Sequence, residues 1–259
     1  MRILLTNDDG ITAPGLIALY RAIADLGEVR VVAPATVQSA MSHSVTFHQV
    51  IATRRHVVSC ETGVEVFEGV AVEGRPADCV KLAIAQLLED PVDLVISGMN
   101  AGANVGINVI YSGTVAAAME AAFIGIPAIA VSLHIGDPHK TRWDAAAGHA
   151  RHVIERILRG PLQPHTVLNV NVPILDDGAE PRGVRVVPIS TSPIIDAYEP
   201  SEHPNGDRHF RAGSGMNFRH TPPDTDVDAL FKKYITLTAL HFNLTQHEQT
   251  QIWREFMQE

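Results

Sequence analysis

Short apolar runs alternate along this chain with segments whose apolar positions recur every three or four residues. Ile3–Thr6 is such a run, bounded by Asn7-Asp8-Asp9-Gly10, and it predicts a buried strand that ends in a polar turn. Pro14 stands at a helix start, Leu16, Leu19, Tyr20, Ile23 and Leu26 follow at helical spacing, and Gly27 closes the pattern. Val29–Ala33, stopped by Pro34, predicts a second strand and completes a βαβ unit. Val45–Val50 and Glu65–Val72 read as further strands of a hairpin region, with turns near Glu61-Thr62-Gly63. The same reasoning predicts a helix from Pro76 through Leu88, a strand over Val92–Ser97 and a Gly/Asn-rich loop from Asn100 through Asn108. It then predicts helices over Thr114–Ile124 and Asp144–Leu158, with strands over Ala128–Leu133 and Val167–Val172. This alternation implies an α/β, Rossmann-like fold, a mostly parallel sheet with helices on both faces.

The texture changes after Pro173. Residues 1–173 form the expected core, and 174–225, rich in Pro, Gly, Asp and His, are expected to form a protruding arm or small lobe. Residues 226–259 return to a helix or turn, an apolar strand over Ile235–Leu240, and a terminal helix carrying Ile252, Trp253, Phe256 and Met257 behind a capping box of Thr245 and Glu248. An amphipathic terminal helix after an arm suggests docking on a neighbouring subunit.

Composition narrows the functions. The 259 residues are 46% hydrophobic, enough for one sizeable core, and carry a formal net charge of −9. No Lys/Arg run offsets that charge, so a duplex nucleic-acid partner is not expected. Two cysteines without a C-x-x-C spacing suggest reduced thiols. The opening Met1-Arg2-Ile3-Leu4-Leu5 lacks a secretory pattern and no apolar run is long enough to span a bilayer, so a soluble cytoplasmic protein without a membrane partner is expected.

Four segments carry candidate chemistry, and all follow predicted strands toward the edge where open α/β sheets bind ligands. Asp8 and Asp9 are adjacent carboxylates that would repel unless a hard cation sat between them, although Asn-Asp-Asp-Gly is equally good turn chemistry. Asn100 and Asn104, in Ser97-Gly98-Met99-Asn100-Ala101-Gly102-Ala103-Asn104, offer oxygens to a metal and amide donors to phosphate, in what is neither a P-loop nor a dinucleotide motif. Ser112, Gly113 and Thr114 open a helix, as an anion site or as an ordinary cap. Ser39 lies in the loop after the second strand and gains interest only from this convergence. His43 lies nearby and is given no role. Together the groups suit metal-assisted hydrolysis of a phosphate ester.

Met1–Gly15, with Leu-Thr-Asn-Asp-Asp-Gly-Ile and Ala-Pro-Gly, resembles the opening of the SurE family of 5'/3'-nucleotidases. So do Gly74-Arg-Pro-Ala-Asp-Cys-Val, the segment from Ser97 to Asn104, and Tyr111-Ser-Gly-Thr-Val. The resemblance implies a 5'-nucleotidase that releases phosphate from nucleoside 5'-monophosphates, with 3'-monophosphates as further candidate substrates. The chemistry of the residues suggests attack by metal-activated water, with Asp8 or Asp9 orienting or deprotonating that water. The resemblance implies one divalent cation per subunit, Mg²⁺ or Mn²⁺, held by Asp8, Asp9, Ser39 and Asn100. It places phosphate on Asn104, Ser112, Gly113 and Thr114, and implies a homodimer or homotetramer with exchanged C-terminal elements. Alternatives are a short-chain polyphosphatase, an aspartyl-phosphate mechanism, and a nucleotide-binding sensor without catalysis. Three departures bear on substrate choice. The family's Asp-Arg-Asn-Arg-Ser reads Ala35-Thr36-Val37-Gln38-Ser39, its aromatic arm segment reads Arg208-His209-Phe210-Arg211, and its Ser-x-Thr-Pro-Leu reads Thr236-Leu237-Thr238-Ala239-Leu240.

Overall fold

The structure, a computed structural model, describes residues 1–59, 63–136, 141–195, 198–202, 206–213 and 216–258. Six parallel strands make its centre: β1 (Arg2–Thr6), β2 (Glu28–Pro34), β4 (Glu65–Val72), β5 (Leu94–Ala101), β6 (Ala128–Leu133) and β7 (Val167–Val172). β3 (Thr53–Ser59) pairs antiparallel with β4 at one edge. At the other, β11 (Ile235–Leu240) runs antiparallel to β7 and carries β8 (Val184–Val186) outside it. The nine strands are ordered β3-β4-β2-β1-β5-β6-β7-β11-β8.

Residue alternation on the strands feeds two cores. Ile3 and Leu5 face α1 (Pro14–Ile23) and α4 (Trp143–Leu158), packing with Leu16, Leu19, Ile23, Val153 and Ile154. Leu4 and Val95 face α2 (Pro76–Leu82) and α3 (Gly113–Phe123), packing with Val80, Val115, Ala118 and Ala122. The α/β architecture with helices on both faces is therefore as the alternation predicts. β1 has β2 on one side and β5 on the other, so the chain leaves β1 and β5 at the sheet's switch point, where a crevice opens.

Several boundaries differ from the sequence reading. Residues 45–50 form no strand. Phe47 and Val50 are exposed, His48 takes a left-handed φ of 61°, and Asp78 holds Thr46 by its backbone N–H and its hydroxyl. The hairpin strand is instead Thr53–Ser59, whose Thr-Arg-Arg-His start shows no apolar alternation because an edge strand exposes its flank and charges there discourage pairing with another sheet. Glu61 and Thr62, expected in the turn, and Cys60 lie outside the described residues. α1 stops at Ile23, the α2 helix passes into a π-helical turn at Ala83–Leu87, and β5 runs on past Gly98 to Ala101. Residues 106–110 form a 3-10 turn where a loop is expected. The terminal α6 (His247–Phe256) is capped by Gln246, which accepts the Gln249 N–H, and not by Thr245.

Beyond β7, β8 joins the main sheet, whereas β9 (Tyr198–Glu202) and β10 (Arg208–Ala212) form a separate exposed ribbon. A short helix, α5 (Asp226–Phe231), leads into β11. Asp226, fully buried, accepts the N–H groups of Gly106 (2.8 Å), Ser190 (2.7 Å) and Val227 (2.8 Å). One carboxylate thus joins the loop after β5 to the segment after β8. Burial drives its pKa up and the three donors only partly offset that. Asp226→Ala would strand three buried donors and is expected to destabilise the chain by about 3 kcal/mol or more in urea unfolding. A loss under about 1 kcal/mol would mean that the three segments are held by packing alone.

Candidate active site

Asp8 and Asp9 stand in the turn that leaves β1. Asn7 braces that turn: its side-chain amide donates to Gly10 O (2.9 Å) and its Oδ1 accepts the Gly10 N–H (3.2 Å). The backbone therefore has its own side-chain clamp, and both carboxylates are free to point elsewhere. Asp8 points at the start of α3, where the Thr114 hydroxyl donates to its Oδ1 at 2.5 Å. Gly113 makes this approach possible. A Cβ there would stand 2.9 Å from Asp8 Cβ, 3.0 Å from Asp8 Oδ2 and 3.1 Å from the Pro76 ring, so any side chain would push the helix off the carboxylate. Asp9 turns to β5 and accepts the Ala101 N–H at 2.9 Å.

Burial, the Thr114 hydrogen bonds and repulsion from Asp9 set the acidity of Asp8 in that order, and the balance lifts its pKa to about 6. Burial lifts Asp9 too, against the Ala101 N–H. Two carboxylates held side by side and short of solvent are a site that gains from a cation. Among the described residues no three of His, Cys, Asp and Glu come together to hold a metal ion. The donors are two carboxylates with neutral oxygens nearby, which fits a hard divalent cation that keeps waters and takes a substrate oxygen, and does not fit a site built on nitrogen and sulfur.

The remaining candidates fall at three depths. Asn100, near the end of β5, donates its amide to Gly102 O at 2.6 Å and leaves Oδ1 as its acceptor. Ser112 caps α3, its Oγ accepting the Val115 N–H at 3.1 Å while its own hydrogen stays available. These two share the rim with Asp8, Asp9, Gly113 and Thr114. Ser39 is exposed on the loop after β2 and is hung from the rim by its neighbour, because the Gln38 N–H donates to Asp8 O at 2.7 Å. Asn104 lies deeper, its Nδ2 on Ser132 Oγ (2.8 Å), its N–H on Asn171 Oδ1 (2.7 Å), and its carbonyl accepting from Asn169 and Asn171. It is locked to β6 and β7.

The Ser39 loop is strained and tied. Ala40 and Ser42 have φ of 57° and 53°, in the left-handed region that costs such residues roughly 1 kcal/mol or more each. Ser42 offsets this with bonds from its hydroxyl to Ile110 O (2.7 Å) and from its N–H to Tyr111 O (3.0 Å). His43 meets the buried Glu120 at 2.9 Å, and Lys81 meets the same carboxylate at 3.0 Å. Burial raises the Glu120 pKa, but these bonds outweigh it and hold it low. Glu120 lies seven residues along α3 from Gly113, roughly 10 Å down the helix, so His43 anchors the loop away from the carboxylate pair.

Arg75 was given no role from the sequence, and its position is tertiary. Its guanidinium donates to Gln38 Oε1 at 2.5 Å. Asp226 was missed for the same reason: its partner Gly106 is 120 residues away.

Residues 3–194 match the family model described as Survival protein SurE. The chain is 45% identical over 250 residues to a protein of Rhodopirellula baltica named 5'-nucleotidase SurE, covering 96% of this chain and 95% of that protein. It is 41% identical to the protein of the same name from Syntrophobacter fumaroxidans, over 96% of each. The crystal structure of the SurE protein from Aquifex aeolicus superposes with a TM-score of 0.82 at 33% identity, over 99% of this chain and 100% of that one.

Burial makes an ionised Asp8 costly. Its raised pKa means the stability associated with it is fully present below pH 3.8 and is lost as pH rises through about 6. The shift corresponds to on the order of 3 kcal/mol. Asp8→Asn, which keeps an acceptor for Thr114, should therefore raise the melting temperature in EDTA by several degrees at pH 8 and leave it nearly unchanged at pH 4. An equal gain at both pH values would assign the effect to something other than the buried charge.

Proposed function

The chain belongs to the SurE family, and on that premise we propose that it is a divalent-metal-dependent 5'-nucleotidase, hydrolysing nucleoside monophosphates to nucleoside and phosphate. The observation that carries the reading is the Asp8–Asp9 pair at the sheet's switch point, with Asp8 buried and seated against the first turn of α3 and the half-buried Asp9 turned to β5. Asp8, Asp9, Ser39 and Asn100 are the groups proposed to hold Mg²⁺ or Mn²⁺. A hard cation there supplies Lewis acidity toward the phosphoryl group and lowers the pKa of water.

The chain's own groups divide the remaining work. Thr114 fixes one Asp8 oxygen and the Ala101 N–H fixes one Asp9 oxygen, so each carboxylate keeps a second oxygen in a set direction. One of these carboxylates orients the attacking water and accepts its proton. Because Thr114 is engaged by Asp8, the donors proposed for the phosphoryl oxygens are the Ser112 hydroxyl, the Gly113 N–H and the Asn104 side chain. Locking Asn104 to Ser132, Asn169 and Asn171 costs nothing at the moment of reaction, which is what preorganisation requires.

No helix among the described residues is long and apolar enough to cross a membrane. α6 buries none of its residues and presents Ile252, Trp253, Phe256 and Met257 to solvent. With the β9–β10 arm, this helix is proposed as the contact of a homodimer or homotetramer. Light scattering at micromolar concentration should give at least twice the 28.0 kDa chain mass, and a monomer would remove the proposal.

The catalytic reading is tested by phosphate release from 5'- and 3'-mononucleotides and short polyphosphate. Release from 5'-nucleotides with Mg²⁺ or Mn²⁺ and its loss in EDTA are expected. Asp8→Asn and Asp9→Asn should each reduce turnover by about a thousandfold or more while remaining folded. Turnover like the parent in both variants would end the mechanism, and saturable AMP binding without any phosphate release would favour a sensor.

A further inference from the structure

We propose that Arg75 is a phosphate-binding residue of this site, held in place by Gln38, and that it supplies from α2 a cation that the loop after β2 does not carry. The proposal rests on the hydrolase reading above for the identity of the ligand, a phosphoryl group carried by a monoester or released as inorganic phosphate.

Two chain segments flank Asp8, and Arg75 bridges them. The first is Pro76, whose ring closes on Gly113 at the same point where Gly113 meets the Asp8 side chain. The second is Gln38, whose N–H donates to the Asp8 carbonyl. Arg75 precedes Pro76 in sequence and its guanidinium reaches Gln38 Oε1, so it links the start of α2 to the loop that is tied to the Asp8 backbone. Its backbone is fixed independently: the Arg75 N–H donates to Asp78 Oδ2 at 2.8 Å, and Asp78 also holds Thr46. The side chain is half-buried, so its orientation is set while an edge remains accessible.

The identity of its partner gives the guanidinium its purpose. Lys81 meets Glu120, Arg54 meets Glu73 and Lys232 meets Asp228, so in each case a carboxylate takes up the charge. Arg75 meets a neutral amide, which orients the fork and leaves the positive charge for a ligand. A guanidinium has five donors, and one on Gln38 leaves a face suited to two phosphoryl oxygens at once. The loop Ala35-Thr36-Val37-Gln38-Ser39 contains no cation of its own. Gln38 is in this view a positioning residue.

The test uses the full chain and four proteins: the parent, Arg75→Gln, Arg75→Lys and Gln38→Glu. Inorganic phosphate binding is measured by titration calorimetry with and without Mg²⁺, and KM and kcat are measured on 5'-AMP. Arg75→Gln should weaken phosphate and raise KM by roughly tenfold to a hundredfold, the loss expected for a charge-assisted hydrogen bond, with Arg75→Lys between it and the parent. Gln38→Glu separates a ligand from a mere cross-link. It strengthens the tie to Arg75 but neutralises it, so phosphate affinity should fall in the same direction, whereas a purely structural bridge would be preserved. Phosphate affinity within twofold of the parent in both Arg75→Gln and Gln38→Glu overturns the proposal, and Gln38→Glu decides alone if Arg75→Gln does not fold. A parent that binds phosphate through Arg75 but releases none from AMP would sink the hydrolase reading and leave this site standing. A parent that hydrolyses AMP with all variants unchanged would do the reverse.

Discussion

The seating of the Asp8 carboxylate against the first turn of α3 sets the geometry around it. It requires a residue without a side chain at 113, a hydroxyl at 114 to take one carboxylate oxygen, and a strand that delivers Asp8 to the sheet's edge between β2 and β5. The helix N-terminus favours the ionised acid, and burial disfavours it. Burial wins, because Asp8 is 3% exposed and Asp9 repels it from one residue away. Ionising Asp8 therefore costs free energy in this fold, which is the property that the cation site proposed above would draw on.

The surroundings serve this pair by restraining the loops that meet it. The loop after β2 is tied at Gln38 to the Asp8 backbone, at Ser42 to Ile110 and Tyr111, at His43 to Glu120 and at Thr46 to Asp78. The loop after β5 is tied at Gly102 to Leu133, at Asn104 to three strand residues and at Gly106 to Asp226. Three of these anchors, at Thr46, Asn104 and Gly106, are carboxylate or amide side chains bonded to backbone groups. Such bonds fix a loop in one register, which apolar contacts at a rim cannot do. The loops can then tolerate left-handed backbone at Ala40 and Ser42.

Much of this was legible in the chain and some was not, for physical reasons. β1, β6 and β7 are buried on both faces and rich in Val, Leu, Ile and Ala, with Ser132 in β6 and Asn169 and Asn171 in β7 as interruptions, so their positions follow from the sequence. β3 has an exposed flank and an Arg-rich start, so nothing in its pattern distinguishes it from loop, while the apolar and β-branched Val45–Val50 looked like a strand and is not one. β5 passes Gly98-Met99-Asn100, residues that suggest a loop, because Gly98 takes a φ of 145° against the Val131 backbone, where a Cβ would stand 2.2 Å from its carbonyl oxygen. The carboxylates, amides and hydroxyls of the site are visible as local motifs. The groups that orient them, Arg75, Glu120 and Asp226, act across distances in sequence that no local pattern encodes.

Charge explains why those distant groups matter. A chain with a net charge of −9 repels an anionic substrate at long range, so attraction has to be generated at the site itself. Candidate local sources are the first turn of α3, the cation proposed for the carboxylate pair, and any side chain whose positive charge is left uncompensated. The first of these is engaged in part by Asp8 through Thr114, and the second, as proposed, would first offset the carboxylates. Nearby Lys81 is held by Glu120. A guanidinium oriented by an amide carries a positive charge with no carboxylate bonded to it, and Arg75, which donates to Gln38 on the loop tied to the Asp8 backbone, is the group proposed for that part.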